Sequence, residues 1–455
     1  RNLLGQWRDL LWVPFTSGDS PLARRGNGFS LKPRHVEDYL ARYPAGRRTL
    51  LREGYDAALR VGITRRDMRY EAFVKVENGV NYRKSCPDGA KDQVPRIIQG
   101  RSNIVNVLTG PWLTSWAKQL CKSVGIKQVH RLPVAAAGGN TAEELGAWFD
   151  EACQHCGSDL IFGTGDATRW DRSVSQTPIE IRHRFYDRCG LRGETLRVAQ
   201  ARDVKRGRTK LGFRYVVTSG VASGDPDTTG GNHWDHMSME VDVSMQLSGG
   251  RVRQAAEGPY RALVASDDKV VVADRNYYNM PGFDHTRTMA EFGFIYDIAI
   301  SPISQGEFCS MLWWPSSDGT IPGPKPGRVI AKTFWTKLPQ AGRKSAARNS
   351  SWVRGVALGL AKSCAHIPVL RVVIQKLLEL TRMVKAAKIV GYDEHRFRAE
   401  KYHETAPETI DFFCDRYACS KEELLTLEAR IGAIEVLPFV VSDPLLDHMV
   451  EHDCS

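Results

Sequence analysis

Two adjacent carboxylates, Asp267 and Asp268, stand between apolar arms at residues 263–265 and 270–272. Solvated acids sit on polar arms, so here two negative charges are fixed at the tip of a hairpin whose strands must be buried. That arrangement repels itself unless a cation compensates. Alone, an Asp-Asp pair reads as an exposed turn. A second acidic strand end changes the reading: Asp166 follows the apolar strand 159–162 after a Gly-Thr-Gly link, and Asp171 comes five residues later. Hard oxygen ligands from two strand ends suit two Mg²⁺ ions, which would also have to contact phosphate in an open basic groove.

A third cluster is Ser223-Gly224-Asp225-Pro226-Asp227-Thr228-Thr229-Gly230-Gly231-Asn232. Its glycines permit close backbone approach. Thr228 and Asn232 lie four apart on the helix expected to follow, so they share a face that could bond a sugar hydroxyl or simply cap the helix. Other candidates read as structural. Cys153-Gln154-His155-Cys156 has no second ligand pair at zinc spacing. His233 and His236 are expected to be ordinary helix residues, and Trp313 and Trp314 to be packing residues.

Several elements must position these groups. A helix is expected over 140–156, with a capping box at Thr141 and Glu144 and a stop at Gly157. Another should open at Thr177, Pro178 and Glu180, again with a capping box, and end near Gly190. Residues 201–217 read as a basic β-hairpin and 71–101 as two strands flanking a polar loop at 78–93. From about Pro315 the chain reads as Gly/Pro/Ser-rich loop, then as helices with capping boxes at Thr405/Glu408 and Ser420/Glu423. Phe412, Phe413 and the leucines at 424–427 are expected in the core of that last part.

The chain has 455 residues, of which 42% are hydrophobic and 25% charged, which is ordinary globular composition and argues against disorder. Apolar stretches such as 369–380 and 431–441 are broken by charges and fall short of the ~20 residues of a membrane span. No signal peptide is evident, and the start at Arg1 reads as a fragment of a longer product. Sixty-three Lys and Arg against 52 Asp and Glu give a net charge of +11, which suits an acidic partner, nucleic acid ahead of membrane. Ten scattered cysteines suit a reducing compartment.

The segments GDATRWD, SGDPDTTGGN and ASDD resemble motifs A, B and C of viral RNA-dependent RNA polymerases, in that order. FVKVE followed by PRIIQGRS resembles motif F, and GEFCSMLWWP resembles motif E. The pattern, over roughly residues 71–315, is most similar to tombusvirus-like positive-strand RNA viruses. It implies an α+β right-hand fold of fingers, palm and thumb, with an antiparallel palm sheet flanked by helices. The implied division is an N-terminal region and fingers (1–150, motif F at 71–101), palm (151–190), fingers insertion (191–218), palm (219–315), and thumb with C-terminal helices (316–455).

The same resemblance gives Asp166 and Asp267 the two metals (Mg²⁺, with Mn²⁺ as substitute). Asp268 assists, and the Ala167 carbonyl is a further ligand. Asp171, Thr228 and Asn232 would recognise the ribose. Arg96 would contact the triphosphate with Lys75 and Arg101 as helpers, and Ser223 and Gly224 would form a flexible checking loop. Implied partners are template and nascent RNA, ribonucleoside triphosphates, and another viral protein supplying attachment to replication membranes in the host cytoplasm. Ser266 departs from the usual Gly before the paired Asp, and the segment 291–309 lacks the lysine expected as general acid, leaving Lys269 and His285 as stand-ins. The rival readings are a reverse transcriptase, whose motif A usually carries a bulky aromatic near the place of Asp171, and a non-catalytic RNA-binding protein.

Overall fold

Strands buried throughout make the centre of the main sheet, and a helix buried nearly all round packs against them. A computed structural model describes residues 33–75, 96–126, 132–200, 204–333, 345–387 and 398–454. These form two compact units, one from 33–75, 96–139 and 152–300, the other from 140–151 and 301–454. The expected polar loop at 78–93 lies outside the described residues. Among the described residues no helix is long and apolar enough to cross a membrane.

The principal elements of the first unit are β1 (Tyr70–Val74), β2 (Ile97–Gly100), α1 (Asn103–Ser123) and β3 (Val134–Ala136), then the end of α2 (Ala142–Cys156). They continue with β4 (Leu160–Ala167), α3 (Gln176–Arg188), β5 (Lys205–Thr209), β6 (Arg214–Val217), α4 (Thr228–Leu247), β7 (Tyr260–Ala265), β8 (Asp268–Asp274) and β9 (Tyr296–Ser301). Five strands make one sheet in the order β3-β7-β8-β4-β9. β7/β8 and β8/β4 are antiparallel, but β3 runs parallel to β7. The sheet is therefore mixed, which corrects the antiparallel expectation. A parallel edge needs a long crossover, here the chain from 137 to 259.

β7 and the interior of β8 are buried throughout and apolar apart from Arg261 and Lys269. Against them lies α4, in which Asn232, His233, Asp235, His236, Glu240 and Asp242 are all buried. So many polar groups inside one helix must find partners or destabilise it. The Gly-Thr-Gly link is not a separate turn but part of β4, where a Cβ at Gly165 would lie 2.4 Å from the Tyr296 ring. A second sheet, β2-β1-β5-β6, confirms the basic hairpin at 205–217 and pairs β1 parallel to β5.

The second unit begins with the start of α2, whose capping box forms as expected. The Thr141 N–H donates to Glu144 Oε2 at 3.1 Å and the Glu144 N–H to Thr141 Oγ1 at 3.2 Å. The loop expected from Pro315 is instead a hairpin of β11 (Met311–Ser316) and β12 (Gly319–Pro324), with β10 (Glu307–Phe308) on the other side. β12 is an edge strand, where the missing N–H groups of Pro322 and Pro324 cost no ladder bond. Trp313 stacks on Phe149 at 4.3 Å and Trp314 packs on Phe412 at 4.8 Å, both indoles being buried. Phe412, Phe413, Leu424 and Leu427 join Trp314 in one core, as expected, whereas Leu425 is exposed.

The Ser420/Glu423 capping box forms, with 3.2 Å and 2.7 Å bonds. Two others do not. The helix at 177 starts one residue earlier, at Gln176, without a side-chain cap. The Thr405 hydroxyl turns to the His366 carbonyl at 3.0 Å, leaving Thr409 to bond the Ala406 N–H.

Candidate active site

β7 and β8 close on the two-residue turn Ser266-Asp267, since Ala265 pairs with Asp268. Ser266 has φ +66° and is buried, while Asp267 projects into solvent and Asp268 is half-exposed. Asp267 has no hydrogen-bond or ion-pair partner among the described residues. On the other side of β8, Gly165 of β4 pairs with Lys269. One step further along that antiparallel ladder sets position 166 across from Asp268, with Ala167 ending the strand. The side chain of Asp166 lies outside the described residues. The expected carboxylate strand ends thus meet at one end of one sheet.

Asp171 opens the short helix Trp170–Ser173, and its Oδ1 accepts a 2.8 Å bond from the Asn232 amide. Burial chiefly raises the pKa of this carboxyl. The Asn232 bond opposes the rise, the charge of Asp267 adds to it, and Arg96 and Arg182 oppose it. Asp171, Asn232, Asp267 and Arg96 therefore share one electrostatic neighbourhood. Asn232 Oδ1 is buried and has no hydrogen-bond partner among the described residues. Lys75 and Arg96 extend the β1/β2 ladder, the Lys75 N–H donating to the Arg96 carbonyl at 2.8 Å, and both side chains are exposed.

Two buried Arg–Asp pairs hold the loop before α4. Arg101 Nε bonds Asp225 at 3.0 Å, with Tyr70 donating to the same carboxylate and its ring under the guanidinium. The other Arg101 nitrogens bond the carbonyls of Met68 and Val198. This corrects the reading of Arg101 as a triphosphate helper: it is saturated inside the protein. Arg182 pairs with Asp235 and lies 3.7 Å from Asp227, to which Tyr186 donates. A Cβ at Gly231 would fall 2.0 Å from the Arg182 guanidinium, so only glycine fits.

Gly224 is held rather than free. Its N–H bonds the Gln99 carbonyl at 3.1 Å, and a Cβ there would come within 2.6 Å of that oxygen. Ser223 beside it is half-buried. The Thr228 hydroxyl donates to the Ala222 carbonyl at 2.6 Å, so its proton serves the loop rather than a sugar. Asn232 and Asp171 meet as expected; Thr228 does not join them.

Behind the turn lies a buried network that takes in Lys269 and His285, the two stand-ins for the general acid. Lys269 pairs with Glu240, bonds His285 Nε2 at 2.6 Å and lies over the Tyr296 ring at 4.2 Å. Tyr260 donates to Glu240 at 2.5 Å and Tyr278 bonds His285 at 2.9 Å. Burial alone would raise the Glu240 carboxyl, but Lys269 and His285 hold it well below the usual carboxylate range. The available signal was a lone lysine opening the otherwise apolar run 270–273. So enclosed a lysine is a structural cation. Cys156 is likewise structural, its thiol buried and donating to the Val272 carbonyl at 3.3 Å.

The donor set fits hard cations, with carboxylates at a rigid turn and no soft ligand beside them. Among the described residues no group of three His, Cys, Asp or Glu side chains could hold a metal ion, the third expected carboxylate being that of Asp166.

The family described as viral RNA-dependent RNA polymerase matches residues 24–407. The chain belongs to that family. It is similar to the RNA-directed RNA polymerase of Groundnut rosette virus (strain MC1), 27% identical over 252 residues covering 55% of this chain and 28% of that protein. It is also similar to those of Tobacco necrosis virus (strain A), 25% identical over 370 residues (80% and 48%), and Carnation mottle virus, 22% identical over 425 (88% and 51%). The chain spans about half or less of the length of these relatives.

Proposed function

We propose that this chain copies RNA into RNA, joining ribonucleoside triphosphates on an RNA template for a positive-strand RNA virus. The observation that carries the reading is the Asn232–Asp171 hydrogen bond beside the Asp267 turn. It fixes an amide whose buried carbonyl oxygen has no partner among the described residues, and a ribose 2′-hydroxyl would supply one.

Asp267, Asp268, Asp166 and the Ala167 carbonyl would hold Mg²⁺, or Mn²⁺ in its place. When bound, these ions would favour the 3′-alkoxide and neutralise charge on the departing pyrophosphate. The chain's own residues then position. Arg96, with Lys75 beside it, offers a planar donor fork to the triphosphate. Asn232 and Asp171 hold the sugar, and Ser223 and Gly224 line the approach under the control of Gln99. Fingers and palm would take the residues up to 315, and the thumb with the C-terminal helices 316–455. Nascent RNA is the product, and another viral protein brings the polymerase to replication membranes in the host cytoplasm.

A site built to bond a hydroxyl rejects the analogue lacking it, because its polar groups are left unpaired. Each lost bond costs ~1–3 kcal/mol, or roughly a 5- to 150-fold preference. Competing GTP and dGTP on one template, wild type should favour GTP. Asn232→Ala and Asp171→Ala should each shrink that preference, mainly by slowing GTP use. Preference for dGTP by wild type would make the protein a reverse transcriptase, and RNA binding without incorporation would make it a non-catalytic binder.

Arg96→Lys should raise the apparent KM for nucleotides by about tenfold while changing RNA affinity little, since an ammonium cannot reproduce the bidentate fork. An equal loss of RNA affinity, read by fluorescence anisotropy, would move Arg96 to the template path.

A further inference from the structure

We propose that His233 and His236 are positioning residues that fix the Ser-Asp-Asp turn, each imidazole taking one backbone group of Ser266. The proposal rests on the polymerase reading for the role of the turn, not for the geometry. Ser266 stands at φ +66°, a conformation that favours glycine and costs an L-residue about 1 kcal/mol or more. Something must therefore hold it. The Ser266 N–H donates to His233 Nδ1 at 3.4 Å, and the Ser266 carbonyl bonds His236 Nδ1 at 3.0 Å. The two histidines lie three apart on α4, so one helical face grips both sides of one residue.

The chemistry of the partners fixes the tautomers. A carbonyl only accepts, so His236 must carry its proton on Nδ1, leaving Nε2 to accept from the Tyr296 hydroxyl at 3.3 Å. An N–H only donates, so His233 Nδ1 must be bare. His236 is fully buried, against the Trp170 ring at 4.6 Å, and burial together with the Lys269 charge holds it neutral, its pKa lowered to about 3. Asn232 precedes this pair on the same helix. The helix that presents the sugar-reading amide thus also sets where Asp267 stands, and a departure of about 1 Å at a reacting group costs on the order of a hundredfold in rate.

The test pairs two amides of different reach. An Asn amide nitrogen stands close to where imidazole Nδ1 stood, and a Gln amide nitrogen close to Nε2. His236→Asn therefore keeps the bond to Ser266 and His236→Gln loses it. His236→Gln should lower kcat by about tenfold or more with nucleotide KM unchanged, while His236→Asn stays within about threefold of wild type. Ser266→Gly relaxes the turn by itself. In that background the His236→Gln loss should shrink to within about threefold. Equal losses in the Asn and Gln variants at matched thermal midpoints, or an undiminished loss in the Ser266→Gly background, would overturn the proposal. A readout free of catalysis comes from ¹⁵N NMR of histidine-labelled, metal-free protein. It should show Nδ1 protonated in His236 and bare in His233; any other pair of tautomers refutes the grip even if the protein proves not to be a polymerase.

Discussion

Replacing Asp267 by alanine is expected to end nucleotide addition while sparing the fold. The carboxylate is exposed and makes no hydrogen bond or ion pair among the described residues, so its removal should shift stability by no more than about 0.5 kcal/mol. The catalytic cost is of another size. Losing a ligand to the ions that stabilise the transition state removes several kcal/mol, and each ~1.4 kcal/mol is tenfold, so a loss on the order of a thousandfold is expected. Primer-extension rates and template-binding isotherms on the same preparation separate the two effects. Asp166→Ala should behave alike on the strength of its place opposite Asp268 along the β4/β8 ladder. Near-normal extension by Asp267→Ala would remove the two-metal assignment.

Glu240→Gln should be the most destabilising of the conservative changes. It leaves the Lys269 ammonium, fully enclosed, without its carboxylate, and removing one partner of a buried pair costs about 3–5 kcal/mol. Urea unfolding monitored by tryptophan fluorescence measures this directly. Replacing both partners, Glu240→Leu with Lys269→Met, should recover much of the loss because no charge then remains buried. A Glu240→Gln loss under about 1 kcal/mol would mean that His285 and Tyr296 suffice to hold the cation. The sign of the pH dependence follows from the lowered pKa of Glu240. Its contribution is complete above the unfolded carboxylate range and is lost only as acid reaches the depressed folded value.

What could be read in advance was whatever depends on local pattern. The buried arms around Asp267 and Asp268, the pairing of Asp171 with Asn232 and the boxes at Thr141/Glu144 and Ser420/Glu423 all follow from residues close in sequence or from a recurring motif. Partners far apart could not be read. Arg101 looks like a phosphate ligand by type and place, and only Asp225, met across the fold, turns it into a buried clamp. Strand β3 has three residues, too few to show a period, and its parallel pairing made the sheet mixed. Pro322 and Pro324 signalled a loop, yet an edge strand tolerates them. His233 and His236 read as ordinary helix residues, because a grip on another backbone leaves no pattern along the chain.

The parallel pairing of β1 with β5, which sets Tyr70 beside Gly207, bears on how the chain is made. Residues leave a ribosome in order, at roughly 5–20 per second. β1 therefore waits seconds for its parallel neighbour, and β3 waits similarly for Ala262 of β7. Helices of the N-terminal part can form meanwhile, but the turn at Ser266 and Asp267 exists only once β8 has emerged to close it. A nascent chain stopped before Asp267 has Asp166 without the carboxylates proposed to share its metals.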